Sequence, residues 1–233
     1  RRQIELDLRS ARDAQRMLFP QPAGAAGAVD YVFEAIPGRY VGGDLFDIFP
    51  VRDGATAFFL GDAVGKGAGA GVLMVSTQTL LRNLLESGLG LGQAVTLTSR
   101  SLAKRSQADK FVTLIAGVWT PGTRSLALVD AGHGIALLDR GEGFERLRVA
   151  GDIPLGIDEG TEYAEEVIGL RGPARLVICS DGVVEQTGIG GAQFGLEGAE
   201  EALAGGTCVS ADVRGIVDAV RQHAGSAFSD DLT

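Results

Sequence analysis

Ile4, Leu8, Ala11, Gln15 and Leu18 follow one another in alternating steps of four and three, the spacing of one helix face. They predict a charged helix over residues 1–18. Pro20 and Pro22 end it, and "PAGAAGA" reads as a flexible joint. From Val29 the period shortens. "YVFEAI" alternates as a strand does, and "LFDIFPV" and "TAFFLGD" read as neighbouring strands joined by a turn at "RDGA". A long helix is predicted over about residues 69–87, with Leu73, Leu80, Leu81, Leu84 and Leu85 on its apolar side and Gly88 as its stop. A weaker helix covers about residues 92–106. Strands return in "FVTLIAGVW", "RSLALVDAG", "GIALLDR" and "FERLRVA", whose short connections predict antiparallel pairing. "ARLVICSDG" is a further buried strand, and "SADVRGIVDAVRQHAG" a last helix with Ser210 as candidate cap. The order of elements predicts an α+β fold, divided into a linker helix over residues 1–22 and a domain over residues 29–233.

Length and composition fit that division. A chain of 233 residues, 45% hydrophobic and 22% charged, suits one large soluble domain. Its 35 glycines are roughly twice the usual ~7% share, which implies tight turns and close backbone approaches. The net charge of −9 argues against a general nucleic-acid binder. No apolar run of ~18 residues suggests a membrane span, and no signal peptide opens the chain, so a cytoplasmic location is expected. Cys179 and Cys208 lack the number and spacing for a disulfide scaffold or a metal site, and Cys179 reads as a small core residue. The first helix has two readings: docked on its own domain, or a coiled-coil linker from an N-terminal sensor that pairs with a second chain.

Carboxylates change the picture further. "GGD" at Asp44, "FFLGDAVGKG" at Asp62, "LVICSDG" at Asp181 and "SDD" at Asp230 and Asp231 place acids beside glycine or another acid, at or near the ends of apolar segments. One Asp-Gly alone is an ordinary turn. Several acids gathered from distant segments repel one another and lose solvation; divalent cations resolve that conflict, and an all-oxygen set favours Mg²⁺ or Mn²⁺. Two such ions can activate a water and clamp a phosphoryl group, which requires no protein nucleophile. The sequence offers few nucleophile systems, since His133 and His223 are its only histidines. His133, in "AGHG", has two readings, ordering a turn near the site or donating a proton. Asp47 lies three residues past Asp44, and strand alternation points it to the other face. "GDAVGKG" fails as a phosphate loop, because three residues rather than four separate Gly61 from Gly65 and Gly67 follows Lys66. "RYVGGDLFDIF" resembles the turn of diguanylate cyclases, but Leu45 stands where those carry an acid, and only 38 residues precede Arg39.

In combination, "VGGDLFDIF", "GDAVGKGAGAGVLM", "FVTLIAGVW", "DAGHGIALL", "PLGI", "LVICSDGVVE", "FG" and "SDDLT" resemble the metal-dependent protein phosphatase (PPM) family, in its bacterial SpoIIE/RsbU-type branch. The match runs from about Val29 to Thr233, and "AQRMLFPQ" is similar to that branch's junction between linker and domain. The resemblance implies a four-layer α-β-β-α sandwich, two antiparallel sheets face to face with helices outside. It implies two Mn²⁺ or Mg²⁺ ions at one end. Asp62 would bridge them with the carbonyl of Ala63, Asp181 and Asp230 would complete one shell, and Asp44 would bind the second ion directly or through water. The implied activity is hydrolysis of phosphoserine or phosphothreonine on a protein, usually a small anti-sigma-factor antagonist in a partner-switching pathway, under an N-terminal sensor or receiver domain. A second reading keeps the fold as a partner-binding regulatory module without turnover; the intact Asp44, Asp62, Asp181 and Asp230 favour the enzyme. Val64 replaces the branch's serine and Asp130 its asparagine, and neither change removes an implied ligand. The branch's chain continues as a strand after "DDxT", which places one strand beyond Thr233 or leaves that edge incomplete.

Overall fold

The longest apolar alternations form the centre of the molecule. β3 (Asp44–Pro50) and β4 (Thr56–Ala63) pair antiparallel from Asp44 opposite Asp62 to Pro50 opposite Thr56. The computed structural model describes residues 10, 13–36, 42–65, 67–104, 110–188, 190–225, 228 and 231–233. Period-two alternation sorts the two strands' side chains. Leu45, Phe49, Ala57 and Phe59 pack toward helices, while Ile48, Phe58 and Leu60 point the opposite way. Both faces are buried, so the strands read as nearly continuous apolar runs.

β5 (Val112–Thr120), β6 (Ser125–Ala131) and β10 (Glu166–Gly169) extend this sheet in the order β10-β6-β5-β4-β3, with the two-residue β9 (Gly151–Asp152) parallel to β6. A second sheet has the order β11-β7-β8, built from β7 (Ala136–Asp139), β8 (Phe144–Arg146) and β11 (Arg175–Ile178). Ile48, Phe58, Leu126, Leu128, Leu138 and Leu170 fill the space between the sheets. A cleft of about 660 Å³ runs from this space to the edge of the sandwich, where Tyr31, Leu176, Val209 and Val213 also line it.

Helices cover both outer faces. α1 (Ala68–Glu86) and α2 (Leu91–Ala103) place Met74, Leu81, Leu85 and Val95 on the larger sheet. α4 (Gly195–Leu203) and α5 (Val209–Ala224) place Ala199, Leu203, Ile216 and Val220 over Leu137 of the smaller one. Each large side chain fully removed from water contributes roughly 1.5–3 kcal/mol, so the three apolar seams hold the four layers together. The α-β-β-α order matches the sandwich expected from the sequence.

Several elements differ from the sequence reading. α1 buries Ala70, Gly71, Met74, Thr77, Gln78, Leu81 and Leu85, while Leu73, Leu80 and Leu84 are half-buried. Leu81 and Leu85 of the predicted apolar side thus lie in the core, Leu73 and Leu84 pack against it, and Ala70, Gly71, Met74, Thr77 and Gln78 share the buried face. Gly88, at φ +93, ends the chain's helical course as expected. "PAGAAGA" is no loose joint: Ala23–Ala26 form β1, paired with β2 (Val29–Val32) across a turn at Gly27, whose φ is +61. α5 begins after Cys208, in extended conformation, rather than at Ser210. Residues 13–16 are helical, whereas most of the predicted first helix, residues 1–9, 11 and 12, lies outside the described residues.

Candidate metal centre

Asp44 opens β3 and Asp62 is the penultimate residue of β4, and the two are register partners. Alternation puts both on the face turned toward the second sheet. Like charges directly opposite in an antiparallel ladder repel, so this arrangement calls for positive charge at the sheet's end. The second sheet meets the same end. β11 stops at Ile178, Cys179 and Ser180 continue it, and Asp181 begins the one-turn α3 (Asp181–Val184). The last residues are fastened alongside. Ser180 N–H donates to the Thr233 carbonyl at 2.8 Å, Thr233 N–H to Ser180 Oγ at 3.0 Å, and Leu232 and Ile36 exchange backbone hydrogen bonds. Asp231 thereby reaches the first turn, where its Oδ2 accepts the Gly43 N–H at 3.1 Å.

The two glycines before Asp44 make this crowding sterically feasible. Ala63 N–H donates to the Gly43 carbonyl at 3.1 Å, which draws the turn against the end of β4. A Cβ on Gly43 would overlap Asp62 Oδ1 and lie 2.7 Å from the Ala63 carbonyl oxygen. One on Gly42 would lie 2.5 Å from Asp231 Oδ2. Oxygens of Asp62, Ala63 and Asp231 therefore converge on backbone that only glycine could provide.

Asp44 carries the strain of the site. Burial pushes its carboxyl up from 3.8 to about 7; hydrogen bonding from Thr233 and Ser180 pulls it partly back, and the charges of Asp231 and Asp181 raise it. Its Oδ2 is buried without a hydrogen-bond partner among the described residues. A buried carboxylate oxygen left unpaired costs several kcal/mol unless it is protonated or meets a cation. The donors around it are all oxygens, the chemistry of a hard divalent ion. The residues present therefore fit such an ion.

His133 belongs to the support of this end. Its ring Nε2 lies 2.9 Å from the Cys179 carbonyl, which can only accept, so Nε2 carries the proton. Burial lowers its pKa, which keeps the ring neutral. Asp130 accepts the backbone N–H groups of His133 at 2.8 Å and Gly134 at 3.0 Å, closing the β6–β7 turn. Of the two readings of His133, the turn-ordering one matches these bonds. Cys179 is buried, and its thiol is pushed up to about 12 by that burial, as expected of a core residue. Asp47 lies on the opposite face, bound by Arg82 at 2.9 Å.

Of the acids singled out in the sequence, Asp44 and Asp62 are register partners at the sheet's end, and Asp181 and Asp231 lie within electrostatic reach of Asp44. Asp230 lies outside the described residues. Among the described residues, no three His, Cys, Asp or Glu side chains close into a metal-holding group by themselves. Asp231 was singled out together with Asp230, although the resemblance gave a ligand role to Asp230 alone; Ser180, Thr233 and Gln15 are the neighbours that sequence reasoning did not select. The "SDD" doublet was the signal for Asp231, but alternation alone does not say which of two adjacent acids turns inward.

The family model described as Stage II sporulation protein E (SpoIIE) matches residues 52–233. The chain is 25% identical over 150 residues to the Stage II sporulation protein E of Priestia megaterium, covering 64% of this chain and 25% of that protein. It is 24% identical over 149 residues to the phosphoserine phosphatase RsbP of Bacillus subtilis, covering 62% and 37%. It thus spans well under half of these curated relatives. Among solved structures, the SiaA PP2C domain of Pseudomonas aeruginosa superposes with a TM-score of 0.81 at 17% identity, covering 99% of this chain and 95% of that one. RsbX in complex with magnesium gives 0.68 at 13% identity, covering 90% and 94%.

Proposed function

The chain belongs to the SpoIIE family, and on that premise we propose that it is a metal-dependent protein phosphatase that hydrolyses phosphoserine or phosphothreonine with an activated water. The observation that carries this reading is Asp44, a buried carboxyl with an oxygen unpartnered among the described residues, in register with Asp62 and within the fields of Asp181 and Asp231. Asp44, Asp62, the Ala63 carbonyl, Asp181 and Asp230 are the residues that would hold two divalent ions. Two Mn²⁺ or Mg²⁺ ions bound there would supply an activated water and positive charge for the phosphoryl oxygens. That RsbX was solved with magnesium supports this choice of ion.

The chain's own residues set the stage. Gly42 and Gly43 leave room for oxygens to converge. Ala63 N–H and Asp231 fix the turn that presents Asp44. Neutral His133 holds the Cys179 carbonyl and so places the Ser180–Asp181 corner. No histidine donates a proton in this scheme, which leaves the leaving group to be protonated by solvent.

The substrate fitting this reading is a phosphorylated protein, specifically a small anti-sigma-factor antagonist in a partner-switching pathway; the name phosphoserine phosphatase carried by RsbP supports the phosphoserine part of it. The greater length of the relatives supports an N-terminal sensor or receiver domain, with residues 1–22 as linker and homodimer contact. A cytoplasmic location agrees with the net charge of −9 and with the described residues, among which no helix is long and apolar enough to cross a membrane.

The test is turnover of a phosphoserine peptide with Mn²⁺, with and without Asp181→Asn. Mn²⁺-stimulated hydrolysis lost in the variant is the expected result. Hydrolysis that persists removes Asp181 from the reaction, and a chain that binds the phosphoprotein without turnover is the regulatory module instead.

A further inference from the structure

Gln15 sits outside the strands and helices of the sandwich, yet it is 8% exposed and its amide grips the acidic turn. Nε2 donates to the Gly42 carbonyl at 2.8 Å, and Oε1 accepts the Gly42 N–H at 3.2 Å. A side-chain amide that bonds both backbone groups of one residue acts as a neighbouring strand would, fixing the peptide planes on either side. The next residue is held as well, Gly43 N–H by Asp231 and the Gly43 carbonyl by Ala63. Asp44 follows directly. Two consecutive glycines have no side chains with which to order themselves, so the turn's course depends on these four bonds, and Gln15 makes two of them.

The stretch around Gln15 has a second anchorage on the same strand. Gln78 of α1 donates from Nε2 to the Leu18 carbonyl at 2.8 Å, with the Phe46 carbonyl of β3 at 3.4 Å. Phe19, Phe33 and Phe46 continue the attachment, with ring centroids 6.0 Å and 4.8 Å apart. The chain just before the domain is thereby tied directly to the turn before Asp44, and through Gln78 and Phe33 to Phe46 of β3.

We propose that Gln15 is a positioning residue for the metal-binding turn, so that cation affinity at Asp44 depends on residues 13–18 being docked. The proposal rests on reading the acidic end as a metal centre. Gln15→Met keeps the length and apolar contacts of the side chain and removes both hydrogen bonds, and Gln15→Leu is the second variant should the first fold poorly. By isothermal titration calorimetry, either variant is expected to bind Mn²⁺ about tenfold or more weakly than the parent chain, the usual cost of losing an outer-shell partner. On a phosphoserine peptide, saturating Mn²⁺ restores kcat, and KM for the peptide is unchanged. Leu85→Ala, at the far end of α1, controls for stability: it lowers the melting temperature and leaves Mn²⁺ affinity intact. Parental Mn²⁺ affinity in both Gln15 variants overturns the proposal and leaves the phosphatase reading standing. A parent chain that binds no Mn²⁺ overturns both.

Discussion

A methyl group on Gly43 would strike Asp62 Oδ1 and the Ala63 carbonyl, whereas one on Gly69, in the first turn of α1, would meet nothing within 4 Å. The two sites make a matched pair. Gly43→Ala must push apart the oxygens proposed to hold cations, and it is expected to lower Mn²⁺-dependent turnover about 100-fold. Gly69→Ala should leave turnover alone and raise stability by roughly 0.5–1 kcal/mol through helix propensity. Kinetics and urea midpoints on both variants check this, and equal turnover in the two would deny Gly43 its special place. His133 offers a second contrast. Its proton is committed to the Cys179 carbonyl and burial keeps the ring neutral, so His133→Asn should cost activity about tenfold without shifting the pH–rate profile. Loss of a limb from that profile would return His133 to the role of proton donor. Acids beside glycines at strand ends were legible in the sequence because strand ends are local features. The attachment of Gln15 and Asp231 to the turn was not, since their bonds cross 27 and 188 positions, and no local period records such partners.

Element boundaries obeyed the same division between local pattern and distant packing. β3 and β4 were visible because both faces are buried and the runs are apolar throughout. β1 was not, because alanine and glycine carry no amphipathic signal and the strand exists only through pairing with β2. α1 shows how far composition reads an inner face: of the predicted leucines Leu81 and Leu85 are in the core, while Ala70, Gly71, Thr77 and Gln78, which carry no apolar signal of their own, complete that face. Its contact with β3 is polar as well. Asp47 is 1% exposed and held by both Arg82 bonds, at 3.1 Å and 2.9 Å, while Arg82 also lies 4.3 Å over the Phe49 ring. Burial nevertheless pushes the Asp47 carboxyl above its usual range, more than Arg82 draws it down. The pair thus fixes α1 to the sheet at an electrostatic cost. Arg82→Met, which strands the carboxylate, is expected to destabilise the domain by about 2 kcal/mol, allowing for Arg82's partial exposure. Adding Asp47→Leu should recover part of that loss. Denaturant melts of the single and double variants decide it; additive losses would mean the two residues do not act as a pair.

At the scale of the whole molecule, a metal centre at the acidic end would couple folding, protons and cations. The Asp44 carboxyl titrates near 7 in the folded chain and near 3.8 when unfolded, so between those values the folded state holds the extra proton. Its contribution therefore falls as pH rises through that window, by up to about 1.4 kcal/mol per pH unit, and is lowest above pH 7. Asp47 and Asp212 have raised values and act in the same sense, while the lowered His133 and Asp139 oppose them, so the Asp44 share must be isolated by substitution. Without divalent ions, Asp44→Asn is expected to melt higher than the parent at pH 8 and to match it more closely at pH 5. A divalent ion takes the place of the proton, so Mn²⁺ should raise the parent's melting temperature more at pH 8 than at pH 6. In Asp44→Asn that pH dependence should shrink. Melting curves over pH 5–8 with and without Mn²⁺ measure all three differences at once. Parallel curves for parent and variant would mean that Asp44 is not where proton and metal compete, and the electrostatic strain at the end of the sandwich would need another owner.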